Sequence, residues 1–136
     1  MGNIETIQGI YTAFGQGDIP AVLDSLADDV QWEIWEPTST AQDGTIPYLV
    51  PRKGKAEVGE FFAALGALEF HGFAPLVIVG EGDDVLATIS LDVTVKATGK
   101  RIQDYEVHVW RFGADGKVTS LRHVIDTLKH YEAHKP

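Results

Sequence analysis

Glu106, His108 and Trp110 occupy every second position of one run, and His123 lies in the next run, beyond Gly113-Ala114-Asp115-Gly116. Side chains alternate between the two faces of a strand, so this spacing puts the carboxylate, an imidazole and an indole on one face. An imidazole can accept or release a proton near neutral pH, which neither arginine nor an ordinary lysine does readily. A carboxylate bonded to one ring nitrogen fixes the tautomer, favours the charged form and aims the other nitrogen outward. Two such rings could bracket a small substrate, one taking a proton beside a carbonyl while the other polarises or protonates the oxygen. General acid–base chemistry of this kind gives about 10²- to 10⁴-fold in rate. Among the other histidines, His71 reads as structural, and His130 and His134 read as solvent groups of a polar C-terminal segment.

The two runs predict a hairpin over 101–112 and 117–125. Pairing Phe112 with Lys117 across the turn places Glu106 opposite His123 and His108 opposite Leu121. One face then carries Asp104, Glu106, His108, Trp110 and Phe112 with Leu121, His123 and Ile125. The other carries Tyr105, Val107, Val109 and Arg111 with Ser120, Arg122 and Val124. Both faces are partly apolar, so the first is expected to line a pocket and the second to meet a second copy of the chain. The plainer alternative is that His123 only bonds Glu106 at the open end of the sheet while His108 bonds a backbone carbonyl.

Upstream, Ile4, Ile7, Tyr11 and Phe14 recur at helical spacing, which predicts a helix over 4–15. Asp18 can cap a second helix whose apolar face is Ile19, Val22, Leu23 and Leu26. Val30 to Trp35 suits a short strand, 36–53 a loop, and 55–65 a third helix burying Val58, Phe61, Phe62 and Leu65. In the loop, Glu36 and Asp43 read as solvated acids that could also fold over a pocket mouth. Leu76 and Ile78 mark a strand with Pro75 near its start, and 85–96 alternate apolar and polar throughout. Helices followed by a meander of strands predict an α+β fold. The pocket is expected between the two layers, with Phe14, Trp32, Ile34 and Phe62 facing Trp110, Leu121 and Ile125 across it.

The length of 136 residues suits one domain over 1–136. With 11 basic against 20 acidic residues, the formal charge of −9 argues against nucleic-acid or anionic-membrane partners. The absence of cysteine removes disulfides, thiolate zinc sites and cysteine nucleophiles. No secretory signal opens the chain, so a cytoplasmic location is the default expectation.

Tyr11 to Asp18, Leu26 to Trp32, Gly54 to Val58 with Phe61-Phe62, His108 to Phe112, Asp115 to Val118 and Ile125 to Thr127 together resemble one family. It contains nuclear transport factor 2, ketosteroid isomerase and the SnoaL-like polyketide cyclases. The resemblance implies a cone-shaped α+β barrel, three N-terminal helices on a highly curved antiparallel or mixed sheet. It also implies a pocket open toward the long loop, dimerisation through the outer sheet, and enzymes that use no cofactor and no metal. The isomerase tyrosine, base and protonated aspartic acid fall at Ile10, Ile34 and His108, so authentic steroid isomerisation is not expected. The cyclase-like pattern fits better, with His108 matched and His123 near the position of that pattern's acid. The expected function is cofactor-free proton transfer (cyclisation, isomerisation or dehydration) on a small hydrophobic carbonyl compound. Its catalytic residues would be His108, His123 and Glu106. The alternative is a non-catalytic domain that binds a small hydrophobic ligand or associates with another chain.

Overall fold

The computed structural model of the chain describes residues 2–35, 37 and 39–136, so Glu36 lies outside the described residues. Helix α1 spans Asn3–Gly15 and α2 spans Ile19–Asp24. Gly17, at φ 71°, makes the left-handed turn between them, which a residue without Cβ adopts at no steric cost. The Asp18 carboxylate then accepts the Ala21 N–H at 3.2 Å and caps α2. Strand β1 covers Leu26–Trp32, β2 Arg52–Lys53, β3 Leu68–Glu81, β4 Asp84–Val95, β5 Arg101–Phe112 and β6 Val118–Val124. Helix α3 occupies Gly54–Ala64 and α4 occupies Thr127–His134. No helix among the described residues is long and apolar enough to cross a membrane.

Among the described residues the strands form one mixed sheet in the order β2-β1-β6-β5-β4-β3, with β1 and β6 parallel and the other neighbours antiparallel. Helices α1 to α3 cover the face that carries Val85, Ile89 and Val93 of β4 and Trp110 and Phe112 of β5. The expected cone-shaped barrel is not formed. The sheet is neither closed nor strongly curled, because its two edges, β2 and β3, do not pair with each other. Closure needs a continuous hydrogen-bond register around the ring. Here β2 has only two residues and pairs with β1, while β3 pairs with β4.

Three local expectations also change. Leu26 opens β1 instead of ending α2, because Val118 donates its N–H to the Ser25 carbonyl at 3.0 Å and draws the chain alongside β6. The hairpin register differs by two residues: His108 faces His123 and Trp110 faces Leu121. The loop closes through the Gly113 N–H to the Lys117 carbonyl at 2.9 Å, which takes Lys117 into the turn, and an irregularity between Arg111 and Phe112 absorbs the remainder. A slip of two preserves every face assignment, since the side-chain period is two. Finally, His130 is fully buried, not a solvent group, because α4 folds back against β5.

Candidate active site

A cavity lies between the helices and the inner face of β3 to β6, enclosing about 620 Å³ of atom-free space that includes its open mouth. Phe14, Trp32, Phe62, Trp110 and Leu121 line it, whereas Ile34 and Ile125 do not. The walls are aromatic on several sides. Trp32 packs at 5.8 Å on Trp110 and 5.3 Å on Phe61 between ring centroids. Phe14 sits 6.0 Å from Phe62 and 5.0 Å from Phe73, linking α1, α3 and β3. Phe70, 39% exposed, is the most open of the lining residues.

His108, Glu106 and His123 all border this space, and their partners differ from the pairing the sequence suggests. Nδ1 of His108 lies 2.7 Å from the Tyr11 hydroxyl, and Nε2 lies 3.2 Å from Oε1 of Glu106. Trp110 donates its Nε1–H to the same hydroxyl at 3.0 Å. The directions follow by elimination. An indole N–H only donates and a carboxylate only accepts, so Nε2 of His108 carries the proton and a neutral ring accepts the Tyr11 O–H at Nδ1. Burial, together with the charge of His123, holds the His108 pKa below its ordinary value against the pull of Glu106. Burial works to raise the Glu106 pKa, but the hydrogen bond from His108 and the nearby charge of His123 leave it below the ordinary carboxylate value. Burial raises the Tyr11 hydroxyl, so it stays protonated.

His123 bonds Glu33, not Glu106. Its Nδ1 and Oε1 of Glu33 are in close hydrogen-bond contact, and the His123 backbone N–H donates to the same oxygen at 2.6 Å. Oε2 of Glu33 accepts from the Trp35 indole at 3.1 Å. Burial works to lower the His123 pKa, but the neighbouring charge and hydrogen bond of Glu33 outweigh it and raise the group above ordinary imidazole. Nε2 of His123 has no hydrogen-bond partner among the described residues. The two rings lie 4.6 Å apart, edge to face, on adjacent strands.

Glu33 reaches this position through its backbone. It follows β1 at φ 60°, a left-handed conformation that costs a residue with Cβ about 1 kcal/mol. The Glu33 N–H donates to the Leu121 carbonyl at 2.9 Å, and the Gln42 side-chain amide donates to the Glu33 carbonyl at 2.5 Å. These bonds hold a strained residue with its carboxylate turned inward, fully buried. Strain of this kind persists where the surroundings over-determine it, often at functional sites.

A third dyad adjoins the cavity. Nε2 of His130 lies 3.0 Å from Oδ2 of Asp104, and Nδ1 lies 2.5 Å from the hydroxyl of Tyr48, a lining residue. Burial holds the His130 pKa below its ordinary value, so its neutral ring accepts from Tyr48 and donates to Asp104. Asp43, by contrast, accepts from the Tyr131 hydroxyl at 2.6 Å and has no place on the cavity wall. His71 bonds the Thr94 hydroxyl at 2.8 Å on the sheet surface.

Sequence reasoning did not place Tyr11, Glu33, Tyr48, Phe61, Phe70 or Phe73 at the site. Ile10 and Tyr11, neighbours on α1, both border the cavity, because a lined space subtends more of α1 than a single apolar stripe. Glu33 left a usable signal: an acid two residues before Trp35 at the end of a strand. Its left-handed turn left none.

The SnoaL-like domain model matches residues 7–121, and the chain belongs to that family. An NTF2-like protein of unknown function from Burkholderia pseudomallei is 28% identical, with all of both chains covered and a TM-score of 0.81. An NTF2-like protein from Burkholderia thailandensis is 22% identical over 100% of this chain and 99% of its own, at a TM-score of 0.85, and supports the fold alone. TerC, co-crystallized with polyporic acid, is 27% identical over 98% of each chain at a TM-score of 0.77. No curated protein has a significantly similar sequence.

Proposed function

We propose that this protein is a small-molecule enzyme that moves protons without a cofactor on a small, hydrophobic carbonyl compound, in a cyclisation, isomerisation or dehydration. The observation that carries the proposal is the pair of imidazoles 4.6 Å apart at an aromatic-walled cavity, each backed by a buried carboxylate. The co-crystallization of TerC with polyporic acid supports a small-molecule ligand for this protein.

His123 is the group that exchanges a proton with substrate in this proposal. Glu33 fixes the Nδ1–H tautomer and favours the charged ring, so Nε2–H can donate to a carbonyl oxygen as charge develops there. Glu106 is the complementary base. Its Oε1 accepts from His108, while Oε2 has no hydrogen bond among the described residues and can accept the proton that the substrate releases. His108, with both nitrogens committed, positions Glu106 and Tyr11. Phe14, Trp32, Phe62, Trp110 and Leu121 hold the apolar body of the substrate.

The test is to screen carbonyl compounds for turnover and then assay His123→Gln and Glu106→Gln. Loss of about 10²-fold or more in kcat with ligand affinity retained supports the roles given. Wild-type turnover in both variants overturns them. A non-catalytic binding domain is the competing reading, favoured by the full commitment of His108. It wins if a tight ligand emerges chemically unchanged.

A homodimer through the outer sheet face belongs to the same proposal. Leu76, Val77, Val79, Leu86 and Val124 are exposed there beside Tyr105. Sedimentation should give a dimer for the native chain and a monomer for Val79→Glu/Leu86→Glu. A native monomer at micromolar concentration overturns the assignment.

A further inference from the structure

Helix α4 is fastened to the rest of the molecule by hydrogen bonds more than by apolar burial. Of its eight residues His130 and Ala133 are buried, while Leu128 is 68% exposed. Asp104 on β5 is the centre of the attachment. Its Oδ2 accepts the Asp126 N–H at 3.1 Å and the Nε2–H of His130 at 3.0 Å. Thr98, between β4 and β5, donates to the Ala133 carbonyl at 2.6 Å, and Lys100 donates to the Lys135 carbonyl at 2.7 Å. Toward the 39–50 segment, the Tyr131 hydroxyl donates to Asp43 at 2.6 Å, and His130 accepts from Tyr48. Isolated helices below about 12 to 15 residues are marginal in water even for strong helix formers. Once undocked, α4 therefore becomes coil, which makes it an element with two states.

The docked helix sits at one end of the cavity. Glu106 and Tyr48 border that space, and Asp104 shares the inner face of β5 with Glu106. The groups that face the His130 ring are Asp104 and Glu106 from β5, Tyr48 from the 39–50 segment and His134 from its own helix. Both ring nitrogens are committed, Nδ1 as acceptor and Nε2 as donor. A proton added at Nδ1 sets an N–H against the Tyr48 O–H, so two donors meet in a buried contact. Burial opposes the charged ring and His134 adds to that, against the pull of Glu106 and Asp104, and the His130 pKa stays below its ordinary value. In the detached coil the ring is solvated and titrates near about 6.5. Proton uptake therefore favours the detached state.

We propose that α4 is a proton-released clasp, which closes the Asp104–Glu106 end of the cavity and holds Tyr48 in its wall while His130 is neutral, and lets go when Nδ1 of that ring is protonated. Release takes the partner from the Tyr48 hydroxyl and admits water to Glu106. The clasp requires the cavity but none of the chemistry assigned to it, so it stands or falls apart from the catalytic roles. One proton is taken up on release. The detached population should thus rise by up to about tenfold for each pH unit below the unfolded value.

The experiment is amide exchange of the full chain, expressed at each pH as protection relative to the unfolded chain. Between about pH 7.5 and pH 5.5, protection of 127–134 should fall about tenfold or more while that of β4 and β5 holds. Acrylamide quenching of tryptophan should rise over the same range, because Trp32 and Trp110 line the cavity. In His130→Gln the pH step in α4 should shrink below about twofold. Tyr131→Phe removes the tie to Asp43 and leaves His130 in place, so protection should drop at both pH values with the step retained. If His130→Gln does not fold, the imidazole Cε1–H resonance of His130 in the native chain decides, since it should titrate over the range in which α4 loses protection. No loss of protection in α4, equal loss in α4, β4 and β5, a full step in His130→Gln, no step in Tyr131→Phe, or a His130 titration outside that range overturns the clasp. A step in α4 without a change in quenching overturns its role at the cavity.

Discussion

At the scale of single residues, Glu33 governs the chemistry of His123. Replacing it with glutamine keeps the shape of the side chain but removes the charge that favours imidazolium. The His123 pKa should therefore fall in Glu33→Gln, because burial then acts with less opposition. Nuclear magnetic resonance titration of the imidazole Cε1–H measures it; an unchanged midpoint would show that the carboxylate does not set it. Tyr11 acts differently. It satisfies two buried groups at once, Nδ1 of His108 and Nε1–H of Trp110. Tyr11→Phe leaves both unpaired and should cost about 1–3 kcal/mol for each buried group, read from urea denaturation. His108, His123 and Glu106 were legible from alternation, since every second residue of a strand shares a face whatever the register. Their pairing was not legible. It depends on the backbone turn at Glu33 and on which side of α1 meets the cavity, and both are tertiary facts.

At the scale of elements, the hairpin shows which information a sequence holds and which it lacks. The period of two placed Trp110, Leu121 and His123 together, and the correct face survived a two-residue error in register. The error arose in the turn, where Lys117 joins the loop and the ladder shifts between Arg111 and Phe112. Turn composition did not distinguish four loop residues from five. Helix α4 was harder to read, because its polar sequence hides a buried imidazole that ties α4 to Tyr48 and Asp104. Asp126 caps it, accepting the Lys129 N–H at 3.2 Å. Asp126→Ala should therefore lower stability by about 1 kcal/mol and speed amide exchange in α4 before other elements. Uniform exchange across the molecule would mean that α4 has no independent stability to lose.

At the scale of the whole molecule, the layers were foreseeable and the closure was not. Hydrophobic periodicity fixes which faces are buried, but closure depends on whether distant edges hydrogen-bond, and a two-residue β2 removes that option. Two buried imidazoles, His108 and His130, and the part-buried His123 also make stability depend on pH in two opposing ways. His108 and His130 are held neutral, with folded pKa values below the unfolded value of about 6.5. Between those folded values and 6.5 the unfolded chain binds more protons, so acidification through this window destabilises the fold. His123 has the reverse sign. Its contribution is complete below the unfolded pKa and is lost as pH rises through its raised folded value. Glu106 adds a second acid-side loss at lower pH, as its depressed folded pKa is approached from above. Melting temperature at fixed protein concentration should therefore pass through a maximum around neutrality and fall on both sides. His130→Gln replaces a titrating ring with a neutral amide, so its acid limb should be shallower than that of the native protein while its alkaline limb is unchanged. If the two proteins lose stability identically between about pH 5 and 7, His130 carries the same charge folded and unfolded. The Tyr48–His130–Asp104 chain would then lack the neutral ring on which its hydrogen-bond directions depend.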